Sequence, residues 1–191
     1  MMKAAKGSTI YLVIFIMLFI ATIGFVWKNS TISEPNIEDI ACDQQSITNQ
    51  LNKCEFESIR SDSNDNVFLH LIDLKNENSY IVKMNKEGGQ TSWFCFPYIG
   101  SLYFYVIPDE GDIVFYRKRS GIAYLFSSSG KLKEETTISD LGLDLDLVTQ
   151  DPRELNLSNG SQVKITRDKG KYQLIITDED GNSTALLKQT N

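Results

Sequence analysis

Histidine and cysteine are scarce in this 191-residue chain, which contains one histidine and three cysteines. A zinc site built from several histidines is therefore excluded, and the cysteines lack the spacing of a zinc-binding motif. The sequence also contains neither a Gly-x-Ser-x-Gly nucleophile motif nor a Gly-Lys-Ser/Thr phosphate loop. We therefore expect no catalytic residue, no cofactor and no metal. The alternative of a hydrolase rests on the many carboxylates, of which no pair stands out.

Positive charge is limited as well. The chain has 19 basic and 25 acidic side chains, which gives a formal net charge of -6. All 25 acidic residues lie from Glu34 onward together with only 16 of the basic ones, so this part carries a net charge of -9. Such a surface repels phosphate backbones, and we expect no nucleic-acid partner. The same charge keeps a domain soluble and favours a basic protein as partner.

Charged side chains are absent from residues 10–27, a continuous apolar run. A helix of this length rises about 27 Å, close to the thickness of the hydrocarbon core of a bilayer. Tyr11 and Trp27 lie near its ends, where aromatic rings favour the headgroup level. The run is longer than the roughly 7–15 apolar residues of a signal peptide, and no small-residue cleavage site follows it. We therefore predict an uncleaved transmembrane signal-anchor helix.

The flanking charges predict the orientation of this helix. Lys3 and Lys6 precede it, which places a tail over residues 1–9 in the cytoplasm. Residues 28–36 are polar and form a linker, and residues 37–191 form an extracytoplasmic domain. The predicted location is the inner membrane of a bacterium, with a single span and the domain in the periplasm or outside the cell.

Residues 37–60 place apolar side chains at helical spacing, at Ile40, Ile47, Leu51 and Cys54. We predict a short amphipathic helix over this segment, packed against the later domain. A stalk that pairs with a helix of a partner is the alternative.

From Val67 onward, short β-branched and aromatic runs alternate with glycine-containing turns. The fold class is predicted as all-β, an antiparallel meander that forms a sandwich, a barrel or part of a propeller. Residues 107–138 are similar to one propeller blade, but about 125 residues of strand would make only three blades. Residues 141–157 are interpreted as a longer connection with one short strand. The predicted strands are 67–74, 79–84, 91–96, 102–107, 112–118, 122–127, 132–138, 162–167, 171–177 and 184–188.

Aromatic residues concentrate between positions 93 and 116. A core is the first interpretation. Both odd and even positions of the strand 102–107 are aromatic, so aromatic side chains point to both faces of this strand. One set packs in a core, and the other set must contact a second surface. That surface is the helix, a ligand cavity or a partner interface. The residues predicted for an interface or pocket are Trp93, Tyr98, Tyr103, Tyr105 and Tyr116.

The cysteines would lie in an oxidising compartment, where disulfides persist. On one continuous helix, Cys42 and Cys54 would be about 18 Å apart, so a bridge between them requires a break in the helix. Otherwise one of them joins the helix to the strand that holds Cys95, and the odd count leaves one thiol free.

His70 lies in the strand 67–74 between Phe68 and Ile72 on the same face, which predicts a core histidine. A pH-sensitive element is the alternative, because the ordinary pKa of histidine is about 6.5. The loops 62–66 and 178–182 place oxygen ligands at alternate positions, which suits Ca²⁺. Asx turns explain both loops without a metal.

Together, these features predict a single-pass, membrane-anchored interaction module without catalytic activity. Its plan of tail, span and β-rich domain is similar to that of two kinds of bacterial protein. These are periplasmic immunity proteins that neutralise a toxin, and accessory partners of membrane-bound regulators. The similarity is one of architecture alone. A β-barrel that binds a small apolar ligand among its aromatic residues is the second hypothesis.

Overall fold

The computed structural model describes residues 48–85, 87–97 and 102–190, which contain twelve strands in three four-stranded antiparallel sheets. Sheet 1 consists of β1 (Glu55–Ser61), β2 (Val67–Asp73), β3 (Asn78–Met84) and β4 (Gln90–Pro97). Sheet 2 consists of β5 (Leu102–Val106), β6 (Ile113–Arg117), β7 (Ile122–Phe126) and β8 (Leu132–Thr136). Sheet 3 consists of β9 (Glu154–Asn156), β10 (Gln162–Asp168), β11 (Lys171–Thr177) and β12 (Ser183–Lys188). In each sheet the strands pair in chain order, and the all-β prediction is confirmed.

Two helices of four residues accompany the sheets in the described part of the chain. Helix α1 (Thr48–Leu51) precedes β1, and helix α2 (Leu145–Val148) lies between sheets 2 and 3. Among the described residues no helix is long and apolar enough to cross a bilayer. The predicted tail over 1–9, span over 10–27 and linker over 28–36 lie outside these residues.

All ten predicted strands are present, with ends within two residues of the prediction. Burial alternates along β10, where Val163 and Ile165 are buried while Lys164 is exposed. The connection over 141–157 contains one short strand, β9, as predicted, together with α2. Antiparallel strands with one wet face show their period of two clearly, and sequence alone locates them well.

The predicted amphipathic helix over residues 37–60 is wrong in its last part. Helix α1 ends at Leu51, and β1 begins at Glu55. Only Ile59 in β1 is β-branched, so the strand lacks the usual composition. Its pairing with β2 and the burial of Phe56 and Ile59 stabilise the strand instead, because tertiary contacts override local spacing.

Sheet 1 forms the central layer, since each of its faces packs on another sheet. One face meets sheet 3 in a core of mixed aliphatic and aromatic residues, and the other meets sheet 2 in a core rich in phenylalanine. All seven residues of β2 are buried, and β2 lies inside sheet 1 between β1 and β3. The phenylalanines of the core between sheets 1 and 2 are Phe68, Phe94, Phe96, Phe104, Phe115 and Phe126.

The same five-residue turn joins successive strands at five places. In each turn the first residue donates its N–H to the carbonyl of the fifth, and the fourth donates to the carbonyl of the first. The fourth residue has a positive φ and is glycine in four of the five turns. In the first turn it is Asp65, with φ 61°, whose carboxylate accepts the N–H of Ser158 in a turn of sheet 3 at 2.9 Å. The turns begin at Asp62, Asn85, Ser127, Leu157 and Asp178.

Substitutions at two of these glycines test how tightly sheets 1 and 3 pack. Gly88 and Gly181 have φ of 84° and 83°, so alanine costs about 1 kcal/mol of backbone strain at either position. A Cβ at Gly88 would lie 2.5 Å from Leu186 Cδ2, whereas nothing lies within 4 Å of one at Gly181. We expect Gly88→Ala to lower the free energy of unfolding by about 1 kcal/mol more than Gly181→Ala in urea titrations. Equal losses would contradict the contact with β12.

Candidate functional site

The aromatic residues predicted for an interface or pocket are divided between two cores. Trp93 is buried between sheets 1 and 3. Tyr105 and Tyr116 are buried on the outer face of sheet 2, and Tyr103 packs beside them half-buried. Tyr98 lies outside the described residues. The structure therefore brings three of the tyrosines together and separates them from Trp93.

A covering segment, residues 138–150, lies over these tyrosines. Ile138 and Val148 are buried against Tyr105 and Tyr116, and Val148 is supplied by α2. The turn of α2 is closed at its start by Asp144, whose side chain accepts the N–H of Asp146 at 2.9 Å. The second surface that the aromatic pattern of β5 requires is thus formed by residues from the connection after β8.

Arg60 of β1 fixes the covering segment in place. Its side chain is 9% exposed, and Nη2 donates to the carbonyl oxygens of Leu147 at 3.1 Å and Gln150 at 2.5 Å. The guanidinium lies 5.2 Å from the centroid of the Tyr105 ring. Burial lowers the pKa of Arg60, and the charge of Asp151 opposes that shift. Burial likewise raises the pKa of Asp151, against the opposing charge of Arg60.

The chain that follows the covering segment runs along the free edge of β1. The N–H of Ile59 donates to the carbonyl of Pro152 at 2.7 Å. Arg153 Nη2 donates to the carbonyl of Phe56 at 2.8 Å. An uncovered outer strand would offer these groups to another chain, so the contacts both close the edge and hold residues 147–153 in one position.

The covering segment exposes two large apolar side chains. Leu145 is 47% and Leu147 is 40% exposed, and both lie on α2. The exposed carboxylates of Asp140, Asp144 and Asp146 lie in the same segment. We call these five residues the Leu–Asp surface. Among the described residues the other exposed large apolar side chain is Leu74, 59% exposed at the end of β2.

Sequence reasoning missed this surface. Leucine and aspartate alternate from Leu143 to Leu147, but the alternation does not show which leucines are exposed. Leu141 and Leu143 are half-buried. In α2 the buried residue is Val148, whereas Leu145 and Leu147 are exposed. The only sequence feature that pointed to this surface is a leucine-rich connection within an acidic stretch.

His70 lies in the core between sheets 1 and 2, as expected of a core histidine. Its Nε2 is 3.3 Å from Ser79 Oγ, and its ring packs against Phe96 and Phe104. Burial lowers the pKa of His70 to about 3, so the ring is neutral at physiological pH.

The described cysteines are Cys54, which is buried, and Cys95, which is half-buried, and both are free thiols. Cys54 immediately precedes β1 and Cys95 lies in β4, and both pack in the core between sheets 1 and 3. Burial raises the pKa of Cys54 to about 12, which keeps it protonated and unreactive. Cys42 lies outside the described residues.

The two acidic loops are Asx turns. Asp62 accepts the backbone N–H of Asn66 at 2.9 Å and its side-chain amide at 2.7 Å. Asp178 accepts the same two groups of Asn182 at 2.8 and 3.0 Å. These donors use the carboxylate oxygens that a cation would need, and no group of metal-ligating side chains occurs in the described part.

Comparison with solved structures finds a loosely similar fold, whereas the sequence comparisons find no match. No protein-family model matches the chain. No curated protein matches it either. A crystal structure of a protein of unknown function from Bacteroides caccae superposes with a TM-score of 0.35 and 12% identity. The superposition covers 71% of this chain and 46% of the other, so this chain spans less than half of that protein.

Proposed function

We propose that the chain is a membrane-anchored, extracytoplasmic protein-interaction module without catalytic activity. A single span over residues 10–27 holds it in the inner membrane of a bacterium, with the tail in the cytoplasm. The observation that supports binding is the exposure of Leu145 and Leu147 on a segment that Arg60 clamps to β1. Apolar side chains presented by a rigid backbone lose little conformational entropy on binding, which favours their use as anchors.

Charge supports a basic partner. Asp140, Asp144 and Asp146 are exposed in the same segment as the two leucines, and the chain from Glu34 onward has a net charge of -9. Carboxylates at the rim of an apolar contact attract a cationic surface and reject an anionic one. A secreted basic toxin and a membrane-bound regulator with a basic face are the two partner classes that fit.

We also propose a propeller-like arrangement of the sheets. Each sheet is a four-stranded meander, and the first strand of sheet 1 contacts the first strands of sheets 2 and 3. The sheets are not stacked in their order along the chain, as successive propeller blades would be, because sheet 1 packs between sheets 2 and 3. A closed barrel that binds an apolar ligand has less support, since the described strands form three separate sheets.

A capture experiment tests the proposed function. Crosslinked membranes that carry the full chain are expected to yield one stoichiometric, basic partner protein. The double variant Leu145→Ser/Leu147→Ser should lose about tenfold or more of this partner, because two anchor leucines are removed. Leu74→Ser is the matched control, since it removes an exposed leucine far from the covering segment and should leave capture unchanged.

Both variants change exposed side chains, so their unfolding in urea should match that of the wild type within about 0.5 kcal/mol. Equal capture by the wild type and the double variant would exclude the Leu–Asp surface. The absence of any crosslinked partner from the wild type would contradict the interaction module itself.

A further inference from the structure

We propose that Arg153 and Arg167 form a binding site for a phosphate-type oxyanion at the rim of sheet 3 that faces β1. Arg167 in β10 pairs directly with Tyr172 in β11. The carbonyl of Arg153 accepts the N–H of Ile165 at 2.8 Å, which places Arg153 beside Ile165. Ile165 and Arg167 are two residues apart and share a face, so the two arginines are diagonal neighbours, about 7–8 Å apart.

Both guanidinium groups converge on one aromatic ring. The Cζ atom of Arg167 lies 5.0 Å and that of Arg153 lies 5.8 Å from the centroid of Tyr172. Phe56 stacks on the same ring at 5.4 Å with an interplanar angle of 12°. Tyr172 is therefore in contact with an aromatic ring and with two positive charges at once.

These two charges are not neutralised by an ion pair. Within the described part of the chain, no carboxylate oxygen lies within 4.0 Å of either guanidinium. Arg153 donates to the carbonyl of Phe56, and Arg167 Nε donates to that of Gly170 at 3.3 Å. Each guanidinium has five N–H donors, so several on each side chain stay available.

Carboxylates lie near this rim as well, because Glu57 interacts electrostatically with Asp151 and Glu55 in addition to Arg153. Glu57 on β1 faces Arg153, which lowers the pKa of Glu57 against the larger effect of burial. Lys171 donates to the carbonyl of Thr190 at 3.0 Å and adds positive charge on the same strand as Tyr172. Two like charges on one ring repel, and an oxyanion that bridges both planar groups would offset that repulsion through bidentate hydrogen bonds.

The test is a titration of the full chain in maltoside micelles, followed by NMR of the arginine Nε–H groups. Inorganic phosphate should shift the Arg153 and Arg167 signals with a common saturating curve at constant ionic strength. Arg119 is exposed on the β6–β7 turn, and its signal should stay in place. Arg153→Gln and Arg167→Gln should each weaken the response about tenfold or more, whereas Arg119→Gln, with the same charge change, should keep it.

A second arm identifies the source of the phosphate group. Micelles that contain phosphatidylglycerol are compared with micelles that contain phosphatidylcholine. A saturable response to inorganic phosphate supports a free phosphate ligand, and a response to phosphatidylglycerol alone supports a lipid headgroup. No shift with either probe, equal shifts at Arg119, or a wild-type response in the two glutamine variants would overturn the site.

Discussion

The free energy of unfolding is expected to fall by about 2 kcal/mol when the pH is lowered from about 7.5 to 5, because of His70 alone. Burial lowers the pKa of His70 to about 3, whereas an unfolded chain gives histidine a pKa of about 6.5. Below pH 6.5 the unfolded chain takes up a proton that the folded chain does not. The contribution of His70 is therefore complete above pH 6.5 and is lost as the pH falls toward 3.

The carboxylates with raised pKa values do not produce this fall in the free energy of unfolding. His70 is the only histidine of the chain. Burial raises the pKa of Glu57 and of Asp151, so the folded state binds protons at these carboxylates before the unfolded state does. That effect increases stability as the pH falls, which is opposite in sign to the effect of His70. A loss of stability between pH 7.5 and 5 is therefore assigned to the imidazole and not to these carboxylates.

The variant His70→Gln should remove the slope. The amide of glutamine offers Ser79 Oγ a polar partner without a titrating group, so its stability curve should be flat between pH 5 and 6.5. In the wild type, the NMR signal of the imidazole Cε1–H should not move above about pH 4, which tests the same claim without a variant. A flat wild-type curve, or an imidazole that titrates near pH 6.5, would contradict the buried neutral ring.

The sequence locates the strands that have one solvent-exposed face, because apolar and polar residues alternate along them as buried and exposed side chains do. Val163, Lys164 and Ile165 show this period, and β10 was predicted from them. β1 could not be found in this way. Its side chains are largely polar, and it is stabilised by its pairing with β2 and by Pro152 and Arg153 at its other edge.

The candidate surface was less predictable than the fold. The aromatic residues at both parities of β5 correctly required a second covered face, which Tyr103 and Tyr105 occupy. Sequence did not show what covers it, because residues 138–150 follow β5 only after three further strands. Arg60 could not be assigned either, since a partner 87 residues away along the chain leaves no local pattern.

Replacement of Arg60 by alanine is expected to lower the free energy of unfolding by about 3 kcal/mol. The change leaves the carbonyl groups of Leu147 and Gln150 without their charged donor and removes the packing of the guanidinium on Tyr105. Arg60→Lys should lose about half as much, because an ammonium group cannot bond both carbonyls and lie flat on the ring at once. Arg119→Ala, at an exposed site, should change stability by less than about 0.5 kcal/mol.

The loss should be local as well as global, and hydrogen exchange separates the two. The N–H groups of Val148 and Thr149 donate within α2, to Asp144 and Leu145. In Arg60→Lys they should exchange faster by about tenfold, while the amides of β10 and β11 keep their wild-type rates. Leu145 and Leu147 are unchanged in this variant, yet partner capture should weaken, because a mobile segment loses more entropy on binding. Normal capture together with fast exchange in α2 would show that the leucines bind without the clamp, and Arg60 would then serve the fold alone.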